Sequence, residues 1–351
     1  HTRFRDYAEG LMGWESDERE KLMADFFATT LDLNPTAQDW TDRGEMLRKR
    51  GRNEEAIEHF SNAIGVDPEN ARAFGRRAFA YCLAEEFESA IADCDRAIEL
   101  NPQAAIAYGD RALAWIKLGN YDQAIADCNE SIKLTPDWLW AFERRSWAHR
   151  LRGEFEQAVR DARRAIEIDP AIPKAYIQLA WALIASKQWE EAARCFERLV
   201  ELQPNIVWRL KGLAECEFMV QGANAYRQRC QVAVERFQSP DASIQAKKPL
   251  VAMCCSVTNA VEDTKTMVQF AREAMEQDPT GPWNKTILAQ ALLCDGQPDE
   301  ALSILLELEA DETDPFRGRT LFILAKAYHA AGQADVAADW LNKGDAWTAK
   351  Y

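Results

Sequence analysis

Five prolines constrain the fold more than any other feature of this chain. Asp67-Pro68, Asn101-Pro102, Thr135-Pro136, Asp169-Pro170 and Gln203-Pro204 recur at a constant step of 34 residues. A period of that length is one supersecondary unit repeated along the chain, and two helices joined by a turn fill it. Proline cannot continue the helix before it, so each step ends one hairpin and starts the next. The expected fold class is therefore all-α, a solenoid of stacked antiparallel helix pairs.

With that proline numbered as position 32 of each unit, side-chain sizes fall into register. Position 8 holds Gly44, Ala78, Ala112, Ser146 and Ala180, and position 20 holds Ala56, Ala90, Ala124, Ala158 and Ala192. Position 27 holds Ala63, Ala97, Ser131, Ala165 and Leu199, so in four of five units a large side chain is excluded where helices must approach closely. Bulky residues take the complementary slots: Trp40, Phe74, Tyr108, Phe142 and Tyr176 at position 4, and Leu47, Tyr81, Trp115, His149 and Leu183 at position 11. Seven residues apart, these lie on one face of the first helix. Gly51, Gly119 and Gly153 at position 15 mark the turn between the helices, where positive φ is needed.

This order of aromatic, small, aromatic, Ala, Ala and Pro resembles the tetratricopeptide repeat family over residues 37 to 204. The resemblance implies a right-handed superhelix of hairpins. It also predicts a degenerate hairpin over 1–36, with Tyr7, Trp14, Phe27 and Leu33 in core slots, and a degenerate repeat over 205–247. Further repeats and a capping helix are expected over 248–351, marked by Leu288, Gly296 and Ala301, then Leu324, Tyr328, Gly332 and Ala337. Pro279 follows Pro204 by 75 residues, two periods plus a short insertion, which the turn-rich stretch Gln238 to Ser243 supplies. The segment from Leu324 to Trp347 also looks like the closing repeat of arrays attached to bacterial serine/threonine kinases.

Composition narrows the function. A net charge of -15 repels nucleic acid and anionic membranes unless basic residues gather on one surface, and no apolar run is long enough to span a bilayer. A cytoplasmic protein is expected. The missing initiating Met points to an excised segment upstream, where a targeting sequence or catalytic domain would lie. Nine cysteines with no Cys-x-x-Cys pairing read as reduced core thiols, and the adjacent Cys254 and Cys255 read as one buried and one accessible thiol.

The sequence carries no recognisable catalytic motif. A phosphate loop, a zinc helix, a calcium loop and a nucleophile elbow are all missing, so neither metal nor cofactor is expected. Of four histidines, His149 fills a core slot, His59 and His329 sit on helices, and His1 is terminal. Glu85, Glu86 and Glu88 lie at a hairpin turn and read as a solvated cluster.

Arginines divide into two sets. Arg77, Arg111 and Arg145 at position 7 are each followed sixteen residues later by Asp93, Asp127 and Asp161, the spacing of a bridge between the helices of one hairpin. The resemblance implies that positions 2, 5, 6, 9, 12 and 13 face the concave groove. Carried over, the lining is Arg72, Arg76 and Phe79, then Asp110, Leu113 and Lys117, then Trp140, Arg144, Trp147 and Arg150, and finally Lys174, Gln178 and Trp181. Basic forks alternating with aromatic faces suit an acidic peptide with apolar anchors.

Two modes known in the family do not carry over. The carboxylate clamp that captures chaperone C-termini is replaced by Thr41, Glu45, Arg76, Ile106 and Asp110, and the asparagine ladder of the sugar-transferring members by Arg76, Asp110, Arg144 and Gln178. The expectation is a non-catalytic scaffold or adaptor that binds a protein or peptide. The alternatives are a regulatory arm of a larger enzyme and a homo-oligomeric assembly scaffold.

Overall fold

The computed structural model describes residues 35–239, 242–257, 259–309 and 317–350. Tyr7, Trp14, Phe27 and Leu33 of the expected first hairpin lie outside the described residues, as do Pro240 and Asp241 of the insertion. Among the described residues there are eighteen α-helices and no strand. The chain divides into two compact units between Pro170 and Ala171, inside the block over which the sequence pattern is most regular.

The first unit contains α1 (Ala37–Lys49), α2 (Asn53–Val66), α3 (Ala71–Leu83), α4 (Phe87–Leu100), α5 (Ala105–Lys117), α6 (Tyr121–Leu134), α7 (Leu139–Leu151) and α8 (Phe155–Ile168). These pair into four hairpins, each helix packing on the next. Thr36 starts α1 with a capping box, its hydroxyl accepting from the Asp39 amide while the Asp39 carboxylate accepts from the Thr36 amide. Asn70 caps α3 through the Ala73 amide at 3.0 Å.

Each hairpin turn needs a left-handed residue at position 15. Gly51, Gly119 and Gly153 supply it with φ of 75°, 80° and 82°, and Glu85 adopts the same geometry at φ 62° without being glycine.

Alanine sets the helix spacing. Ala56, Ala90, Ala124 and Ala158 are fully buried at position 20, and Ala63 and Ala165 are fully buried at position 27. At Ser131 the same slot carries a hydroxyl, which donates to the Ala105 carbonyl at 2.8 Å and so is satisfied inside the core.

The arginines of position 7 tie three helices together. Arg77 Nε and Nη2 donate to the two Asp93 oxygens at 2.7 Å each, and its Nη1 reaches back to Ser61 Oγ at 2.9 Å. Arg111 repeats this with Asp127 and Asp95, and Arg145 with Asp161 and Asn129. Each guanidinium also lies over its own position-4 ring, Phe74, Tyr108 or Phe142, at 5.5 to 5.6 Å. The forward bridge was legible from the sixteen-residue spacing; the backward bond into the preceding hairpin was not. Arg77, held chiefly by its hydrogen bond to Asp93, is raised above its ordinary pKa.

The second unit contains α9 (Pro173–Ala185), α10 (Trp189–Leu202), α11 (Val207–Gln221), α12 (Ala223–Phe237), α13 (Ile244–Cys254), α14 (Thr264–Gln277), α15 (Pro282–Cys294), α16 (Pro298–Glu309), α17 (Arg317–Ala330) and α18 (Ala334–Lys350). They form five more hairpins. Its core is built differently, from one continuous cluster running from Val207 to Ala327 through Leu250, Met253, Met267, Ile287 and Leu305. Alanines such as Ala252, Ala271, Ala289 and Ala301 are fully buried in it beside the larger side chains. The hairpin after the insertion begins at Ile244, slightly earlier than the expected boundary at 248. Lys187 holds the left-handed turn position of this unit's first hairpin at φ 60°.

Two expectations on cysteine are corrected. Cys254 and Cys255 are both buried, at 0% and 8% exposure, because Cys255 closes α13 against the large apolar cluster. Cys294, expected among the core thiols, is the one cysteine of the nine that is not buried.

Candidate functional site

The ten candidate groove residues of the first unit lie on α3, α5 and α7, the first helices of three successive hairpins. Lys174, Gln178 and Trp181 lie on α9 in the second unit, where Lys174 is exposed, Trp181 is 46% exposed and Gln178 is buried. Trp181 packs edge-on against Phe196 at 6.4 Å.

On α3, Arg72 is exposed, its side chain 54% accessible. It contacts α1 only loosely, at 3.9 Å from Asp42 and 3.4 Å from Gln38. Arg76 is held more firmly, its Nε 2.8 Å from Glu45. Glu45 also accepts two hydrogen bonds from Arg48, whose guanidinium lies 5.1 Å over the Phe79 ring. Arg72 and Arg76 thus form a ridge between two open cavities. One, of about 410 Å³, lies toward α1 and is lined by Asp42, Glu45, Arg48 and Lys49 besides the two arginines. The other, of about 420 Å³, lies toward the start of α5 and is lined by Gln103, Ile106 and Thr135 on its far side.

Ile106 is 48% exposed. The sequence reading noticed it only as a departure from the chaperone clamp; the signal for a larger part was its position 2, a slot expected to face the groove. Arg48 and Lys49 were also missed, since the lining was read from one hairpin later, and Gln103 because it lies in the loop before α5, outside the helix positions expected to face the groove.

Asp110 and Arg144 require correction as partner-facing residues. They are 4% and 7% exposed and meet in an ion pair, Arg144 Nη1 donating to Asp110 Oδ1 at 2.9 Å. Trp138 lies over this pair, its ring 5.4 Å from the Arg144 guanidinium. The indole fits because residue 109 is glycine: a Cβ there would stand 2.2 Å from Trp138 Cζ3. Burial pushes the Asp110 carboxyl up from its ordinary value, against the opposing pull of Arg144. Burial also acts on Arg144, but the charges of Asp110 and Glu143 outweigh it and leave its pKa raised. A guanidinium does not give up its proton, so the pair persists wherever Asp110 is ionised. Together these residues form a buried polar cluster between α5 and α7.

The remaining candidates on α5 and α7 are more exposed than this pair. Leu113 is half-buried, Lys117 is exposed with its Nζ 5.4 Å over the Trp147 ring, and Trp140 and Arg150 are half-buried. Desolvation lowers the Arg150 pKa from its ordinary value. Among the described residues no cluster of His, Cys, Asp or Glu suits a metal ion, and no helix is long and apolar enough to cross a membrane.

Comparison with known proteins agrees with this architecture. Tetratricopeptide repeat models match residues 71–103, 105–138, 150–214 and 288–349, and a TPR repeat model matches 44–84. Among solved structures, PilW, a widely conserved type IV pilus biogenesis factor, aligns at 16% identity and TM-score 0.54, covering 60% of this chain and 97% of that one. A tetratricopeptide repeat protein from Parabacteroides merdae aligns at 13% identity and TM-score 0.51, covering 83% and 98%. PilF from Pseudomonas aeruginosa aligns at 14% identity and TM-score 0.50, covering 62% and 97%. Likeness at these identities concerns the fold alone. Comparison with curated proteins returns no match. With family matches distributed from residue 44 to 349 over successive helical hairpins, the chain belongs to the tetratricopeptide repeat family.

Proposed function

We propose that the chain is a protein-interaction scaffold whose first unit binds an acidic segment with an apolar anchor across α1, α3 and α5. The observation that carries this reading is the ridge of Arg72 and Arg76 between two open cavities. In a chain of net charge -15, the cavity toward α1 gathers four cations, Arg48, Lys49, Arg72 and Arg76, against two carboxylates, Asp42 and Glu45. That local excess attracts an acidic partner.

Arg72 is the first to engage, since its present contacts are long and its guanidinium can accept a carboxylate bidentately. Ile106, across the second cavity, offers apolar area to an aliphatic or aromatic side chain of the partner. Lys117 and Trp147 extend the same mixed character along α5 and α7. Preformed helices leave the ordering cost mainly with the peptide.

The test is selection of a displayed peptide library on the immobilised chain. Enrichment of sequences with Asp or Glu beside a bulky apolar residue supports the reading, provided that Arg72→Glu with Arg76→Glu weakens their binding tenfold or more. Enrichment of basic sequences, or undiminished binding by the double variant at matched helicity, overturns it.

A further inference from the structure

Three side chains of the second unit meet in a row although they come from three different hairpins. Trp208 is the second residue of α11, Trp283 the second of α15, and Arg319 lies in the first turn of α17. The two indoles are 6.3 Å apart and tilted by 40°, even though the hairpin of α13 and α14 stands between theirs in sequence. Ser243, the N-cap of α13, precedes the C-cap of its helix by twelve residues, as Trp283 does in α15, and a side chain that small leaves room for the indoles to meet. Arg319 continues the row, its guanidinium 4.8 Å over the Trp283 ring.

Arg319 is distinguished by what it lacks. Arg317, two residues earlier, pairs with Glu309, and elsewhere in the unit Arg229 pairs with Glu217 and Arg272 with Glu300. Arg319 instead donates from Nη2 to the Gln290 amide oxygen at 2.9 Å, and its Nε and Nη1 have no acceptor among the described residues. Gln290 is only 7% exposed, so its amide is fixed in the packing and holds the guanidinium in one place. An amide oxygen satisfies one N–H and leaves the positive charge intact. Burial lowers the Arg319 pKa from its ordinary value, with no carboxylate to offset it, yet a guanidinium keeps its proton. A half-buried cation without a counter-charge is costly, and here it stands in a chain with 57 acidic residues against 42 basic ones.

We propose that Trp208, Trp283 and Arg319 form a second peptide-binding site, which takes an aromatic side chain flanked by carboxylates. A carboxylate of the peptide accepts from the open N–H groups of Arg319 and supplies the missing counter-charge. The neighbouring aromatic ring packs on Trp208, which is 44% exposed. Trp283 lies between the two and sets the distance from cation to open indole. A short acidic peptide suits this row better than a nucleic acid, since one fixed cation is offered and the net charge of -15 opposes a polyanion. The site lies wholly within the second unit and does not depend on the reading of Arg72 and Arg76.

The experiment uses the full chain carrying Arg72→Glu and Arg76→Glu, so that the first-unit site is silenced, with 5-fluorotryptophan in place of tryptophan. Adding Trp208→Phe or Trp283→Phe assigns the two fluorine resonances. The probe is the peptide acetyl-Gly-Glu-Glu-Phe-Glu-Glu-Gly-amide. Saturable shifts of both resonances are expected, and Arg319→Gln at matched helicity should weaken the binding at least tenfold. The same tenfold loss is expected when every Glu of the peptide is replaced by Gln, a comparison that alters nothing in the protein. Replacing the peptide's Phe by Ala should also weaken it severalfold. No shift of either resonance at millimolar peptide, equal affinity for the Gln peptide, or tighter binding of an oligothymidylate at the same two resonances would overturn the proposal. None of these outcomes bears on the first-unit site, which the chain used no longer has.

Discussion

Arg144 and Asp110 stand one 34-residue repeat apart and meet in a buried ion pair of 2.9 Å. The pair joins α7 to α5 beneath Trp138, so it fixes two neighbouring hairpins to each other. Removing one member leaves a charge in a site that excludes water.

Asp110→Leu or Arg144→Met should therefore destabilise the chain by about 3–5 kcal/mol, the usual cost of an uncompensated buried charge. The double variant Asp110→Leu with Arg144→Met should recover most of that loss, because no charge remains to be desolvated. Urea unfolding of the four chains checks this through a double-mutant cycle. Additive losses would show that the two residues act independently.

The left-handed turn residues give a prediction of opposite sign. Glu85 and Lys187 hold φ of 62° and 60° where the equivalent turns use Gly51, Gly119 and Gly153. A left-handed conformation costs an L-residue about 1–2 kcal/mol, part of which glycine returns as chain entropy in the unfolded state. Glu85→Gly and Lys187→Gly should each stabilise by roughly 0.5–1 kcal/mol, with both side chains exposed and no packing lost. A lower melting temperature for either would contradict it.

Legibility in the sequence followed what kind of interaction set each feature. Helical hairpins, their turns and the Arg77–Asp93 type of bridge depend on spacing along the chain, and spacing is what a 34-residue repeat displays. Burial of Arg144 depends instead on Trp138 lying against Gly109, a contact of shape between side chains of adjacent repeats. Position 6 marked Arg144 as groove-facing and said nothing of what covers it. Gly109 is the residue whose missing Cβ admits the indole, but a helical glycine does not by itself signal such an approach: a Cβ at Gly65 or Gly75, also inside helices, would meet nothing within 4 Å. The partial exposure of Cys294 had no sequence signal, since its helical pattern matched that of the buried thiols.

A pH-dependent contribution sits at the start of α14. Asp263 caps that helix, accepting from the Thr266 amide at 3.0 Å and from the Thr266 hydroxyl. Its carboxyl is pulled below the ordinary 3.8, first by the hydroxyl hydrogen bond, then by the amide. A depressed folded-state value means that the contribution is fully present above the unfolded pKa and is lost as pH falls through the folded one. Asp263→Ala should cost about 1 kcal/mol near neutral pH. The gap between variant and parent should close as pH drops below 3.8, where the cap protonates. Asp263→Asn should keep much of the cap and show no such closure; unfolding curves collected from pH 7 downward would reveal either pattern.

The last prediction follows from size exchange between helices of one hairpin. Gly44 at position 8 faces Phe60 at position 24, and a Cβ at Gly44 would lie 2.6 Å from the ring. Phe60 is fully buried, so the ring cannot swing away into solvent. In the next three hairpins position 8 carries a Cβ and position 24 shrinks: Ala78 with Cys94, Ala112 with Cys128, and Ser146 with Ala162. Where Ala180 is paired with Phe196, that ring instead lies against Gly212, whose Cβ would stand 2.3 Å from it. A phenylalanine at position 24 thus requires a glycine beside it, in its own hairpin or the next. Gly44→Ala should destabilise the chain by about 1–3 kcal/mol through overpacking. Adding Phe60→Cys should relieve the clash and reproduce the Ala–Cys pairing of the second and third hairpins. Rescue in the double variant, read as a return of the urea midpoint toward the parent, distinguishes size exchange from an unrelated demand for glycine at position 44; no rescue would refute the pairing.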